Sequence, residues 1–172
     1  MLEYFIIMGV KMFDFLKKEF QILSPVDGKV VSLSKVPDQI FSNGIAGDGV
    51  AVEPAGDKLL SPADGVVSFI FNTNHAFGII LDNGLEVLVH IGIDTIDLQG
   101  KGFNRIVSEG SKVKTGDIII EVDKKFIQSK GYSLITPVII TNTDIICDMD
   151  FRCNLNSYVK AGKDPIITYR MR

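Results

Sequence analysis

Residues 71–94 (FNTNHAFGIILDNGLEVLVHIGID) constrain the fold most, because they read as one hairpin with a histidine in each arm. Leu81-Asp82-Asn83-Gly84 supplies the turn, and Asn-Gly favours a tight hairpin because both residues tolerate positive φ. The flanks are rich in Phe, Ile, Val and Leu, as strands require. His75 and His90 are the only 2 histidines in 172 residues. With Asp82-Asn83 as the loop, His75 faces His90; with Asn83-Gly84, His75 faces Gly92 and sits diagonal to His90. Both registers put the imidazoles on one face, with Cβ atoms about 5 Å or roughly 7–8 Å apart. A three-residue loop would slip the register by one and send them to opposite faces. Alternation adds neighbours: Phe71 and Thr73 share the face of His75, and Glu86 and Leu88 that of His90. Val87, Val89 and Ile91 turn the other way, into the core.

The rest of the chain repeats turn-plus-strand units. Residues 23–30 (LSPVDGKV) and 60–67 (LSPADGVV) share the pattern L-S-P-x-D-G-x-V. Proline presets φ for a turn, Asp-Gly completes it, and an alternating tail enters a strand. A second repeat, VKTGD at 113–117 and VKAGK at 159–163, precedes Ile-rich segments. Such spacing suggests a sandwich or barrel. The fold expected for the whole chain is an antiparallel β-sandwich, distorted and barrel-like, with a few short helical turns and a shallow site. Strands are expected near 21–33, 49–53, 64–71, 77–81, 86–91, 117–122, 136–141 and 165–170. A helical turn is expected at 123–130 and a loop at 95–103. Residues 1–20 form an arm outside the main domain, 21–172. Within the arm, Phe13, Leu16 and Phe20 lie on one helical stripe, which reads as a short helix or frayed arm, or as a weak membrane-surface contact.

With a formal net charge of −3, the chain lacks the basic stripe that phosphate backbones demand, which excludes nucleic acid as a partner class. No apolar run reaches the roughly 20 residues that span a bilayer. Cys147 and Cys153 fit no zinc or redox spacing and read as reduced thiols.

Chemistry concentrates on the histidine pair. A neutral imidazole is a nucleophile that forms covalent intermediates. A second imidazole can donate a hydrogen bond to a developing phosphate, and Thr73 can fix the tautomer of His75 through its far nitrogen. The same pair can hold zinc, although a catalytic site needs a third ligand. Spacing alone leaves phosphoryl transfer and metal binding both open.

Eight segments carry a resemblance that decides between them. They are VPDQIF (36–41), GIAGDGVAVEP (44–54), SPADG (61–65), TNHAFGI (73–79), VLVHIGIDT (87–95), LQGKGF (98–103), EGSKVKTGD (109–117) and TPVIITN (136–142). From about residue 21 onwards the chain resembles the glucose-type enzyme IIA domain of the bacterial sugar phosphotransferase system. The resemblance implies a cytoplasmic phosphotransferase component that needs no cofactor. His90 would accept the phosphoryl group from the histidine-containing phosphocarrier protein and pass it to a cysteine on the IIB domain of a sugar permease. His75 would stabilise the phosphate, Thr73 would orient His75, and the backbone near Gly92 would position His90. Asp38 and Asp94 match acidic residues that meet a carrier arginine. Phe41, Ile45, Phe71, Leu88 and Ile96 match an apolar docking patch. The family also regulates metabolic enzymes and transporters, and can form a zinc site from His75, His90 and a partner carboxylate. Leu88 and Ile91 stand where some members carry aromatics, and Gly78 where some carry serine.

Two other readings compete. A lysostaphin-like zinc peptidase would need an H-x-H motif, and none occurs. A biotinyl or lipoyl carrier domain would need a lysine in an M-K-M or D-K-A hairpin, and neither tripeptide occurs.

Overall fold

The computed structural model describes residues 18–151 and 155–172. Most of the predicted arm, and Cys153, lie outside the described residues. The arm's last two residues, Glu19 and Phe20, are not helical but begin a strand of the main domain, Phe20 pairing with Tyr169. The strands are β1 (Glu19–Leu23), β2 (Gly28–Ser32), β3 (Asp48–Pro54), β4 (Lys58–Leu60), β5 (Gly65–Ile70), β6 (Ala76–Leu81) and β7 (Glu86–His90). They continue as β8 (Phe103–Arg105), β9 (Lys112–Val113), β10 (Ile118–Val122), β11 (Thr136–Ile140), β12 (Ile146–Asp150), β13 (Tyr158–Val159) and β14 (Pro165–Met171). Among the described residues two short α-helices join them, α1 (Gln39–Ser42) and α2 (Lys124–Ser129).

The largest sheet has eight strands in the order β13-β2-β3-β11-β7-β6-β5-β9. It does not close on itself. Two three-stranded sheets, β1-β14-β12 and β4-β10-β8, complete the all-β fold. All pairings among the described strands are antiparallel. The main core contains Val30, Val52, Phe77, Val87, Val89 and Ile120, all at most 1 % exposed. Full burial of such a side chain contributes about 1.5–3 kcal/mol. A smaller core lies beneath α1 and joins Val31, Phe41, Ala51, Ile93 and Ile139.

The expected strand at 21–33 is two strands, because Ser24–Asp27 turns the chain. The strands β4, β8, β9, β12 and β13 had no expectation; most are two or three residues long, too short for alternation to register. The expected loop at 95–103 opens with a 3-10 turn over Thr95–Leu98.

The repeats are structural corners that grip each other. Leu23 N donates to Pro62 O at 2.9 Å, and Leu60 N donates to Pro25 O at 2.7 Å. Ser24 and Ser61, both fully buried, each donate a hydroxyl to the carbonyl two residues on, at 2.7 Å. The Asp27 carboxylate accepts from Ala161 N at 2.8 Å, and that of Asp64 from Thr115 N at 2.8 Å. Lys160 and Lys114 close the same carboxylates at 3.2 and 2.8 Å. Each first-repeat turn is thus held by a second-repeat loop. In the second repeat Asp164, one residue beyond Lys163, takes the place of Asp117: Lys160 N binds Asp164 Oδ2 at 2.7 Å, as Lys114 N binds Asp117 Oδ2 at 2.8 Å.

The central hairpin differs from both expected registers. Ala76 pairs with His90 and Gly78 with Leu88. The loop is the three residues Asp82-Asn83-Gly84, with Leu81 N on Leu85 O at 2.9 Å and Gly84 at φ +85°. Asn83 prefers to bond Leu85 N at 3.1 Å and the Tyr169 hydroxyl at 2.9 Å, which draws it into the loop tip. This register would send the histidines to opposite faces if both sat in strands. They do not. Residues 71–75 are a turn: Asn74 N donates to Phe71 O at 2.7 Å, and Asn74 has φ +56°. The pleat therefore does not set the direction of His75.

Candidate functional site

Three local devices build the site. The first is the end of β7. Gly92 has φ +77°, and a Cβ there would lie 2.5 Å from Thr95 Cγ2 and 2.6 Å from Ser133 O. Only glycine fits that close approach. The bend is pinned by Ile93 N on Ser133 O at 3.0 Å and by the buried Thr95 hydroxyl on Ile91 O at 2.6 Å. It aims the Gly92 carbonyl at His90 Nδ1, 2.8 Å away. A carbonyl only accepts, so Nδ1 carries the proton and Nε2 keeps a free lone pair.

The second device is the 71–75 turn. Thr73 Oγ1 lies 2.6 Å from His75 Nδ1. Ile91 N donates to His75 O at 2.7 Å, which ties the turn to β7. Phe71 packs on His75 at 5.1 Å between ring centroids, and Phe69 meets Phe71 edge-on at 5.5 Å. Phe69 reaches this side through a bulge in β5: the register shifts between Val67 and Phe69, which turns Phe69 outward and Ile70 inward. Its ring then lies over Gly78, where a Cβ would collide with it.

The third device is α1. Asp38 caps it, accepting from Ile40 N at 2.8 Å. The helix drives Phe41 into the small core, where its ring lies 4.9 Å from that of His90.

These devices bring the two imidazoles together, with ring centroids 5.0 Å apart and planes at 74°. His75 is 4 % exposed, while His90 is half-buried. Burial, and secondarily the neighbouring His90, lower the pKa of His75 to about 4. Burial also pushes His90 below its ordinary value; the Gly92 carbonyl and the charges of Asp38 and Asp94 oppose that shift. Both shifts favour the neutral ring at pH 7.

Of the residues expected in an apolar docking patch, Ile45 is 71 % exposed, Ile96 50 % and Phe71 48 %. Leu88 is half-buried and Asp94 is exposed, at φ +57°. Phe41 is only 4 % exposed and backs His90 rather than facing out. Ile40, next to Phe41 on α1, is 52 % exposed and was not among the expected residues. Arg105 was missed as well: it donates to Asn74 Oδ1 at 3.0 Å and to the carbonyls of Ile70 and Phe71 at 3.2 and 3.1 Å. No sequence pattern marks it, since its partners lie more than thirty residues away.

The arrangement offers a bare nucleophilic nitrogen beside a second polar nitrogen, on an open apolar face. The comparisons with known proteins agree with that chemistry. A model of the family described as "phosphoenolpyruvate-dependent sugar phosphotransferase system, EIIA 1" matches residues 20–146. A "PTS system glucose-specific EIIA component" of Haemophilus influenzae is 48 % identical over 128 residues, 74 % of this chain and 77 % of that protein. A "PTS system N-acetylglucosamine-specific EIICBA component" of Klebsiella pneumoniae is 48 % identical over 123 residues, 72 % of this chain and 19 % of that longer protein. The solved glucose permease IIA of Mycoplasma capricolum is 32 % identical, with a TM-score of 0.76, covering 88 % of this chain and 96 % of that one. Neither the zinc-peptidase nor the biotinyl-carrier alternative finds support there. This chain belongs to the EIIA 1 family and is a phosphoryl carrier of the sugar phosphotransferase system.

Proposed function

We propose that His90 Nε2 is the atom that takes the phosphoryl group, from the phosphohistidine of the histidine-containing phosphocarrier protein, and gives it to a IIB cysteine of a glucose-type permease. The observation that carries this is the Nδ1–H of His90 tied to the Gly92 carbonyl, which leaves Nε2 bare beside His75. As the donor's N–P bond breaks, the donor imidazole keeps the electron pair and the Nε2–P bond forms. His90 gains positive character while its Nδ1–H stays on the carbonyl. Asp38 and Asp94, whose fields favour a cationic His90, steady that state. If the Thr73 hydroxyl donates to His75 Nδ1, then His75 Nε2–H is the donor left for the phosphate oxygens. Catalysis here is mainly positioning and charge stabilisation.

The surrounding face suits protein docking: Ile40, Ile45, Phe71, Leu88 and Ile96 supply apolar contact, with Asp38 and Asp94 placed to meet a cationic side chain. A IIB domain is supported by the fused architecture that the name of the Klebsiella relative describes. The same two imidazoles would hold zinc only with a carboxylate from a partner, since no group of three or more His, Cys, Asp or Glu is placed for a metal among the described residues. The reaction we propose runs in the cytoplasm; no helix among the described residues is long and apolar enough to cross a membrane.

Incubation with phosphoenolpyruvate, enzyme I and the carrier protein tests the reading. A gain of one phosphate, labile in acid and stable in base, is expected. His90→Ala should abolish it, and His75→Gln should accept phosphate yet fail to pass it on. A His90→Ala protein that still gains acid-labile phosphate would sink the assignment.

A further inference from the structure

We propose that Arg105 is a positioning residue for His75, a guanidinium fork that holds the 71–75 turn in its working shape. The inference rests on the role given to His75 above and deepens it. Arg105 ends β8, in a small sheet, and its side chain crosses to the large one. Nε donates to Asn74 Oδ1 at 3.0 Å; Nη2 donates to Ile70 O at 3.2 Å and to Phe71 O at 3.1 Å. Two of these acceptors stand where β5 becomes the turn. The third belongs to the residue directly before His75.

The turn needs such a hold. Asn74 sits at φ +56°, a region uncommon for residues other than glycine. Everything the turn must deliver follows from it: Thr73 Oγ1 at 2.6 Å from His75 Nδ1, and the His75 ring at 5.0 Å from His90. A displacement of about 1 Å in such a group can lower the rate about 100-fold. Arg105 acts through that backbone, and the planar fork matters more than the charge: one ammonium cannot span the three acceptors in the same geometry.

The test uses the full chain as wild type, Arg105→Ala and Arg105→Lys, with Asn74→Gly as a milder variant that keeps the positive φ but removes one acceptor. Three quantities are followed: phosphate acceptance on His90, onward transfer to the IIB cysteine, and the NMR titration of His75. In Arg105→Ala, onward transfer should fall about tenfold or more while acceptance changes little. His75 should titrate upward from about 4 toward its ordinary value as the loosened turn uncovers the ring. Arg105→Lys should resemble Arg105→Ala, and Asn74→Gly should move both readouts less, in the same direction. Wild-type transfer and an unmoved His75 titration in Arg105→Ala would overturn the proposal, as would full rescue by Lys, which would make Arg105 a charge rather than a fork. A wild-type protein that never forms phosphohistidine would sink the reading of the site, yet the His75 titration would still judge Arg105.

Discussion

The corners at Asp27 and Asp64 and the pocket at His75 and His90 are both pairs, but only the corners are symmetric. At the corners most bonds have a twin: the reciprocal Leu–Pro contacts, the buried serines, the carboxylates on Ala161 N and Thr115 N, the lysine clasps. The Thr115 hydroxyl on Asp64 at 2.9 Å has none, because Ala161 carries no hydroxyl. The histidines share a residue type and little else. One is tied to a carbonyl and the other to a hydroxyl; one is half-open and the other almost covered. Twin environments give twin properties, which suits a lock. Unlike environments pull two identical groups apart, and that is what a division of labour between acceptor and stabiliser requires.

Removing one anchor should break the comparison most. Gly92→Ala places a Cβ 2.6 Å from Ser133 O at φ +77°. The backbone strain alone is about 1–3 kcal/mol, and relief means turning the carbonyl away from His90 Nδ1. His90 then loses its fixed tautomer. Phosphorylation should fall at least about 100-fold and the thermal midpoint should drop. Near-wild-type phosphorylation in this variant would show that the carbonyl does not set the reactive nitrogen.

Acid separates the two regions by pH. His75 titrates near 4 in the fold and near 6.5 when unfolded. Between those values the unfolded chain holds the extra proton, so stability rises with pH across the window and is lost as pH falls from 6.5 toward 4. The loss is at most about 3 kcal/mol. The corner carboxylate Asp64, held down to about 2 by Lys114 and Thr115, contributes stability above 3.8 that fades only as pH falls toward 2. Urea titrations from pH 7 to pH 3 should show the first loss in the wild type and a flatter profile in His75→Gln. An unchanged slope between 6.5 and 4 would mean that His75 is not buried neutral.

The corners were legible because their geometry is local: Pro, Asp and Gly set the turn within six residues, and the repetition shows as text. The strands β3, β6, β7 and β11 were legible because they are long and apolar. The two-residue strands β9 and β13 were not, since the loops bonded to Asp64 and Asp27 place them rather than any alternation. The site was legible in its residues and not in its geometry. The hairpin register was off by one because the Asn83 side chain favours a three-residue loop, and the face of His75 came from the Asn74 turn rather than from strand parity. Phe41 reads as apolar in either setting, and only α1 decides that it points inward. Arg105 required three contacts across sheets, which no spacing rule contains.

The smallest expected effect probes how far the symmetry of the corners goes. Ser24 and Ser61 are each fully buried and each bond their own turn, at the same 2.7 Å. Replacing either by Ala should cost about 1 kcal/mol, the usual net worth of one hydrogen bond, with phosphoryl transfer unchanged. The two corners touch: a Cβ at Gly162 would lie 3.2 Å from Gly116 Cα, and the Leu–Pro bonds run from one turn to the other. Residues in contact through a shared backbone couple by about 0.5 kcal/mol or more, whereas independent sites add. Ser24→Ala with Ser61→Ala should therefore depart from the sum of the single variants in a double-mutant cycle read by urea denaturation. Strict additivity would make the corners two separate clasps that only resemble each other. A matching loss of phosphoryl transfer would mean that the lock and the histidine pocket are one cooperative unit.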